Sequence, residues 1–441
     1  LTYVVKIPSD TFTKYGYDGL GGMNLKTWYL TPARYENHEF VVYNNENLDD
    51  IANAVSDFDI ELKVTKGLEV TTDLKNTESI ENQDFSIYTL TGKNRLNFGL
   101  FIEPKTSFHS FKNNSIEVIT NLKEDKISII EKSLVINNVV NYVNTLVGNY
   151  PFDKIMITQA DYDRNPFYGL NQLPSFIRPF SDEFTYEIKF LKTYLNVYLK
   201  NSLRADIRKD GWIYDAIQVY TMMKYIDENH PNSKMLGSAS SFKLLKSFNL
   251  TNLDFNEQYS YFYMLMARKN LDQALGDPKN TLVKFNEQIA SKYRAGLSLR
   301  FLDSYLDQNS VEKSIQQFYA LNKDKQSTEK EFESILKSNT TKNINWFFNT
   351  IIKSRAIIDY KFSAVAKTKD SIYFSLKNKT GVIVPVPIYG IKNGKIVFKK
   401  WLEPNDTDSI YRIDRNNADK IILNYKNEVE EQLEIFKTLF S

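Results

Sequence analysis

Alternating apolar and polar positions dominate the first part of the chain. Runs at residues 3–7, 40–43, 60–64 and 85–90 are rich in β-branched and aromatic side chains, and Asn, Asp, Gly and Pro residues separate them. Short strands between turn residues favour antiparallel sheets. We therefore predict an N-terminal β-sandwich or saddle over residues 1–104.

A helical period replaces this alternation in the middle of the chain, where short strands at 116–120 and 154–158 flank the first predicted helix. Between residues 184 and 198 the apolar positions recur at spacings of four and three, which indicates a helix with one buried stripe. A capping box begins at Thr328. Further helices are predicted at 134–146, 212–226, 242–248, 259–272, 282–306, 311–319, 328–337 and 344–352. The segment 105–355 is therefore expected to form a mostly helical domain.

Strand patterns return in the last segment of the chain. A Lys-Asn-Gly sequence at 392–394 between two apolar runs is a strong hairpin signal. The strands are predicted at 360–364, 371–376, 382–388, 395–401 and 420–423. They indicate a small C-terminal β-sandwich over 356–441, so the predicted fold class is multidomain α+β.

Composition narrows the functional classes. The 441 residues are too many for one core, and 56 Lys+Arg against 54 Asp+Glu argue against a nucleic-acid binder. No apolar run is long enough to span a bilayer. Because the chain begins at Leu1, we expect a processed or truncated start with any targeting segment outside it. Cysteine is absent, which excludes disulfides and thiolate metal sites, and there are only three histidines.

Three short motifs follow one another in a suggestive order. They are G-N-Y-P-F at 148–152, W-I-Y-D-A at 212–216 and Y-R-A-G at 293–296. Together with the domain order, they resemble the aminopeptidase N family of gluzincin zinc metallopeptidases. The resemblance covers most of the chain, and it implies that the central domain is thermolysin-like.

The family's zinc site is H-E-x-x-H, followed after eighteen residues by a Glu. Two His at i and i+4 share a helical face, and the first Glu is the general base. In this chain the tryptophan motif places Asp215 at the last ligand, and counting back gives Lys192, Thr193 and Asn196 for the H-E-x-x-H residues. A lysine offers a cation, an asparagine is a poor zinc ligand, and a threonine is not a carboxylate base. We therefore predict no metal, no cofactor and no catalytic residue.

Two other parts of the family's site are altered or unneeded. The G-x-M-E-N loop, whose Glu holds the substrate amine, corresponds to a stretch with Gly169, Asn171 and Gln172 and without a carboxylate. Tyr293 matches the family's oxyanion-stabilising Tyr. Without a nucleophile that role has no purpose, so we expect Tyr293 to pack in the core.

None of the three histidines lies in a ligand pattern. His38 lies in a strand-like run and is expected at the surface. His109, between Phe108 and Phe111, is expected to be packed. His230 precedes a proline at a predicted helix end, where capping explains it.

The favoured function is a catalytically inactive, peptidase-like protein that binds or scaffolds protein partners, including partners in a membrane-associated complex, without nucleic acid. Heavy Tyr and Phe usage suits interfaces. An active metallo-aminopeptidase is the alternative. A third interpretation is a hydrolase that uses Asp161, Asp163 or Ser175.

Localisation is inferred from a second resemblance. The Lys-, Asn- and Ile-rich composition with this domain order is similar to exported proteins of Bacteroidota. The D-S-I tripeptides at 370–372 and 408–410 look like O-glycosylation sites of that group. We therefore expect a protein of the cell envelope, located in the periplasm or at the cell surface, including the outer membrane.

A lysine in place of a zinc ligand has a structural consequence. An ammonium at Lys192 can donate to the carboxylate of Asp215 and to the amide oxygen of Asn196, and so supply the missing positive charge. We also expect the former cleft either to persist as a peptide groove or to be filled by side chains such as Tyr194.

Overall fold

The computed structural model describes residues 1–26, 28–44, 46–170, 179–238, 253–306, 309–323, 325–403, 410–414, 418, 420–424 and 438–439. The chain divides into two compact units. The first comprises Leu1–Arg208, Leu236–Thr251 and Phe318–Ser327. The second comprises Lys209–Met235, Asn252–Gln317 and Thr328–Ser441.

Four small sheets form the strand part of the first unit. The strands are β1 Gly16–Tyr17, β2 Met23–Leu25, β3 Tyr35–Glu36, β4 Glu39–Phe40, β5 Ser56–Thr65, β6 Glu69–Thr72, β7 Lys75–Glu81, β8 Phe85–Arg95, β9 Leu100–Glu103, β10 His109–Lys112, β11 Glu117–Thr120 and β12 Lys154–Ile157. Their orders are β1-β2-β9-β6, β5-β8-β7, β10-β11-β12 and β3-β4. Only the β11–β12 pair is parallel among these described strands.

The sheets β5-β8-β7 and β1-β2-β9-β6 share one apolar cluster. In β5 the exposed Asp59, Glu61 and Lys63 alternate with less exposed apolar residues, as the sequence predicts for a half-buried strand. Val64 from β5 and Leu100 from β9 pack into the same core. Side chains from both sheets therefore meet in one layer, as in a two-sheet arrangement.

Three helices lie in the Leu1–Arg208 stretch of the first unit: α1 Ile129–Leu146, α2 Gln159–Arg164 and α3 Asp182–Ser202. The helix α1 begins at a capping box formed by Ser128 and Glu131, earlier than the predicted residue 134. It ends before Gly148, whose φ of +141° favours glycine. A Cβ at Gly148 would also lie 2.8 Å from the Tyr319 ring.

The second unit contains helices and then two sheets. The helices are α4 Gly211–Asn229, α5 Glu257–Ala267, α6 Ser291–Tyr305, α7 Ser310–Asn322, whose last residues belong to the first unit, and α8 Glu329–Ser338, with π-helical turns at Asn286–Ala290 and Phe347–Ile352. The strands are β13 Tyr360–Lys367, β14 Ser371–Asn378, β15 Val386–Lys392, β16 Lys395–Leu402, β17 Ile410–Asp414, β18 Lys420–Leu423 and β19 Thr438–Leu439. They form the sheets β13-β14-β17 and β16-β15-β18-β19.

Two local predictions in the second half of the chain are confirmed. Thr328 and Glu331 form the predicted capping box of α8. The hairpin at 392–394 joins β15 to β16, and Asn393 and Gly394 both have positive φ, as a tight hairpin turn requires.

Several other predictions need correction. Residues 3–7 form no strand, and Val4 is 97% exposed, because the segment has no strand partner. At 40–43 the structure has only the end of β4, and the strand predicted at 382–388 begins later, at Val386. The helix predicted at 259–272 ends at Ala267. The one predicted at 242–248 lies outside the described residues.

The mixed α+β class is confirmed. The predicted domain boundaries at 104 and 355 stay predictions. Across the described ranges, every helix is too short or too polar to cross a bilayer.

Candidate functional site

The helix α3 carries the residues aligned with the zinc motif. It begins at Ser181, whose hydroxyl accepts a hydrogen bond from the Phe184 backbone N–H. The helical period places Lys192, Asn196 and Lys200 one turn apart on the same face. A different face of α3 carries Tyr194, which is fully buried in a stack of aromatic rings.

Lys192 is 6% exposed, and its ammonium has neutral acceptors. It donates to the backbone oxygen of Pro166 at 2.6 Å and to Oδ1 of Asn165 at 3.2 Å. Both acceptors belong to the first unit. Lys192, predicted to align with the first zinc ligand, is therefore a buried cation whose protons point at oxygen atoms.

Thr193 is the residue predicted to align with the family's general base. Its hydroxyl donates to the backbone oxygen of Lys189, one turn earlier in α3, at 2.7 Å. A side chain of this type, bonded within its own helix, has no carboxylate with which to take a proton from water.

Asn196 lines a cavity of about 80 Å³ inside the first unit. A single water occupies on the order of 10–15 Å³ of such a cavity volume. The cavity therefore has room for about half a dozen waters or one small polar group. The charged residues that line it are Lys26, Asp49, Asp73, Asp161, Arg164 and Lys200. The structure thus brings Asn196 next to a concentrated set of charges.

Asp49 forms ion pairs with two of these cations. Its carboxylate accepts a hydrogen bond from Arg164 at 2.5 Å and another from Lys200 at 3.4 Å. The ring of Tyr15 lies near two cations, with Lys26 Nζ at 4.8 Å and the Arg164 guanidinium at 4.7 Å from its centroid. Lys26 also donates to the Tyr15 hydroxyl at 3.0 Å. The cluster is held together by ion pairs and cation–π contacts.

These surroundings keep both signs of charge ionised. Burial alone would raise the pKa of Asp49, but the cations of Lys200, Lys26 and Arg164 hold that pKa well below its usual range. Burial would lower the pKa of Lys26, but Tyr15 and Asp49 raise it above its usual value. The cavity therefore stays charged at neutral pH.

Asp215, predicted to align with the last zinc ligand, lies in the second unit near two lysines. Lys279 Nζ is 3.2 Å from its carboxylate, and Lys292 Nζ is 3.9 Å away. The side chain is 10% exposed. Its negative charge is thus already balanced by lysines of its own unit. The direct pairing of Lys192 with Asp215 stays a prediction.

The structure describes two of the other positions suggested by the family resemblance, Tyr293 and Gly169. Tyr293 is 4% exposed, and its ring packs edge-on against Tyr259 with centroids 4.8 Å apart. This contact agrees with a role in the core. Gly169 lies in a turn with φ of +85°. Asn171, Gln172 and Ser175 lie outside the described residues.

The two carboxylates of the third interpretation have local partners. Asp161 accepts a hydrogen bond from the Thr158 hydroxyl at 2.7 Å, at the start of α2. Asp163 accepts one from the Gln159 amide at 2.6 Å. Of the two, only Asp161 lines the 80 Å³ cavity.

The histidines occupy ordinary positions, with one correction. His38 is exposed in the turn between β3 and β4, and His230 is the C-cap residue of α4. His109 is exposed, so the prediction that it is packed was wrong. The strand alternates its sides: Phe108 packs on Phe101, and the next side chain therefore faces away. Over the part of the chain that the structure describes, no three His, Asp or Glu residues are grouped so that they could hold a metal.

The charged cavity itself was not predicted from the sequence. Asn196 and Lys200 are one helical turn apart, as are the ends of the Asp161–Arg164 segment. No periodicity connects these helices with Lys26 and Asp49, because tertiary packing alone brings the segments together.

Comparison with known proteins identifies a similar fold and no sequence family. No family model matches this chain, and no curated protein matches it significantly. Its structure is similar to the crystal structure of Legionella pneumophila aminopeptidase A in complex with aspartic acid, with a TM-score of 0.61 and 10% sequence identity. The match covers 87% of this chain and 45% of that chain, so this chain spans less than half the length of that protein. At this identity the likeness concerns the fold alone: the chain has a peptidase-like fold.

Proposed function

We propose that this chain is a catalytically inactive relative of the aminopeptidase N family that binds a peptide or protein partner. The observation that carries the proposal is Lys192, a buried ammonium at the first zinc-ligand position that donates to Pro166 and Asn165. A zinc ligand must present a lone pair, and a protonated lysine has none.

Two other positions of the predicted motif support the same conclusion. Thr193 donates its proton to its own helix, and Asp215 is balanced by Lys279 and Lys292. A dication at Asp215 would meet two ammonium groups within ion-pair distance of the same carboxylate. A metal bound there would therefore be repelled by the two ammonium groups, and it would also lack imidazole ligands.

The alternative function is an active metallo-aminopeptidase, and the name of the structural neighbour is that of an aminopeptidase. It requires three protein ligands and a general base. The described residues offer no such group of donors, which favours the inactive interpretation.

Metal analysis together with a hydrolysis assay tests the proposal. Purified protein, incubated with zinc and desalted, should contain far less than stoichiometric metal and should release no product from aminoacyl anilides. Stoichiometric zinc, with hydrolysis abolished by a chelator, would contradict the proposal. Hydrolysis that survives chelation would instead support the interpretation based on Asp161, Asp163 or Ser175.

The binding part of the proposal needs a separate experiment. We place the protein in a cell-envelope assembly, so mild cross-linking in envelope extracts followed by mass spectrometry should recover a reproducible partner. Fractionation of cells should find the protein in the periplasm or at the surface. A monomer that captures nothing under these conditions would remove the support for a scaffolding role.

A further inference from the structure

The cavity in the first unit contains hydrogen-bonding groups that the protein does not use. Asn97 and Asn196 both line it, and both are only partly buried. Neither side-chain amide makes a hydrogen bond to another residue in the described part of the chain. An amide of this kind offers two N–H donors and an oxygen acceptor. The cavity thus presents donors to whatever occupies it.

The charges of the cavity do not cancel. Lys26, Arg164 and Lys200 face Asp49 and Asp161, which gives three cations against two carboxylates. The remaining charged lining residue, Asp73, is paired with Arg95 outside this set, at 3.4 Å. Among these described lining residues one positive charge is therefore in excess, in a partly enclosed space where electrostatic interactions are stronger than in water.

We propose that this cavity binds the carboxylate group of a small ligand, with Lys26 and Lys200 as its cationic partners and the amide of Asn196 as a hydrogen-bond donor. Lys200 is suited to this because its bond to Asp49 is long, at 3.4 Å, and its side chain is 23% exposed. A carboxylate carries a single negative charge, which matches the excess of one.

The other charges in the cavity argue against a larger anionic charge. A phosphate dianion would place its second charge near Asp49 and Asp161, where like charges repel. These same carboxylates can accept hydrogen bonds from an ammonium on the ligand. A compact, singly charged or zwitterionic acid therefore fits better than phosphate, and the volume of about 80 Å³ suits a small group.

Two sources could supply such a carboxylate: a free organic or amino acid, and the C-terminal end of a peptide. The peptide source rests on the proposed peptide-binding function. The free-acid source does not depend on it, so the two can fail separately.

Calorimetric titration of the full chain in a buffer low in chloride tests the proposal. The probes are acetate, glycine, inorganic phosphate, and a short alanine peptide with either a free or an amidated C-terminus. The variants are Lys26→Met, Lys200→Met and Asn196→Leu, with Lys26→Arg as the charge-preserving version. Lys105→Met, an exposed lysine outside the cavity, is the matched control.

We expect acetate or glycine to bind, and each lysine-to-methionine change to weaken binding by about tenfold or more, because hydrogen bonds to charged groups contribute this much. Lys26→Arg should retain most of the affinity, and Lys105→Met should not alter it. Binding of the free-acid peptide but not the amide would assign the peptide as the source. Binding of acetate alone would assign free acids and would leave the proposed peptide function without support at this cavity.

Three results would overturn the proposal. They are no heat of binding with any carboxylate, tighter binding of phosphate than of acetate, and equal losses in the cavity variants and the Lys105 control. Circular dichroism of each variant shows whether a loss of binding reflects a loss of fold. If Lys26→Met does not fold, Lys26→Arg and Lys200→Met still decide the outcome.

Discussion

The buried pair of Asp50 and Arg208 gives the sharpest stability prediction. Asp50 is fully buried and Arg208 is 3% exposed. Arg208 donates from one terminal nitrogen to Oδ1 at 2.7 Å and from Nε to Oδ2 at 3.1 Å. It also donates to the backbone oxygen of Asn44 at 2.9 Å. This two-pronged geometry ties the segment that carries Asp49 to Arg208, the last residue of the first stretch of this unit.

Asp50→Asn should therefore be strongly destabilising. It leaves a buried guanidinium without its counter-charge, and breaking such a pair typically costs about 3–5 kcal/mol. Replacing both partners, as in Asp50→Leu with Arg208→Met, should recover much of that loss because no buried charge remains. Asp59→Asn, an exposed carboxylate on β5, is the matched control and should change stability by less than about 0.5 kcal/mol.

Urea denaturation followed by circular dichroism measures these changes, and hydrogen exchange at residues 44–50 locates them. Exchange there should rise in Asp50→Asn and not in the control. The reasoning would be refuted if Asp50→Asn were no less stable than Asp59→Asn. It would also be refuted if the double variant were as unstable as the single one.

Two further predictions concern packing and pH. Gly296→Ala should lower the free energy of unfolding by about 1–3 kcal/mol through overpacking, because its Cβ would lie 2.3 Å from Val219. Gly276→Ala, whose Cβ would have no atom closer than 3.4 Å, should change stability only mildly, and thermal unfolding compares the two variants. Burial raises the pKa of Tyr319 to about 12, above the usual value of about 10. Its contribution to stability should be fully present below about pH 10 and lost as the pH rises through about 12. Tyr319→Phe should flatten this alkaline decline in denaturation midpoint, and an unchanged slope would contradict the assignment.

Local patterns predicted the elements whose residues carry their own signal. The helix α3 was predicted because its apolar residues repeat on one face, and the turn at 392–394 because Asn and Gly tolerate positive φ. The start of α1 was missed although Ser128 and Glu131 form a capping box. Its first turns carry exposed apolar residues such as Ile130, at 70% exposure, so the buried stripe begins later than the helix does.

The candidate site shows what a sequence cannot supply. Comparison with a family motif singled out Lys192, Asn196 and Asp215 as predicted ligand positions, and that correspondence stays a prediction. It did not give the partners that these residues have in the structure. Lys192 bonds to Pro166, and Asp215 pairs with Lys279, across sequence separations that carry no periodic signal. Side-chain partners of this kind depend on the folded backbone.

The absence of zinc and the binding of an anion would have one electrostatic origin. On one face of α3, Lys192 and Lys200 flank Asn196, so two of three successive positions carry an ammonium. A dication 4 Å from a single ammonium is opposed by about 8 kcal/mol at an effective dielectric constant of 20, and an anion is attracted by about half as much. Lys192 opposes the metal without lining the cavity, whereas Lys200 also lines the cavity and attracts the carboxylate. The two proposals therefore make a joint claim about Lys200. A protein that bound acetate at this cavity and also retained zinc on this face of α3 would contradict the electrostatic reasoning, even though either result alone could be explained.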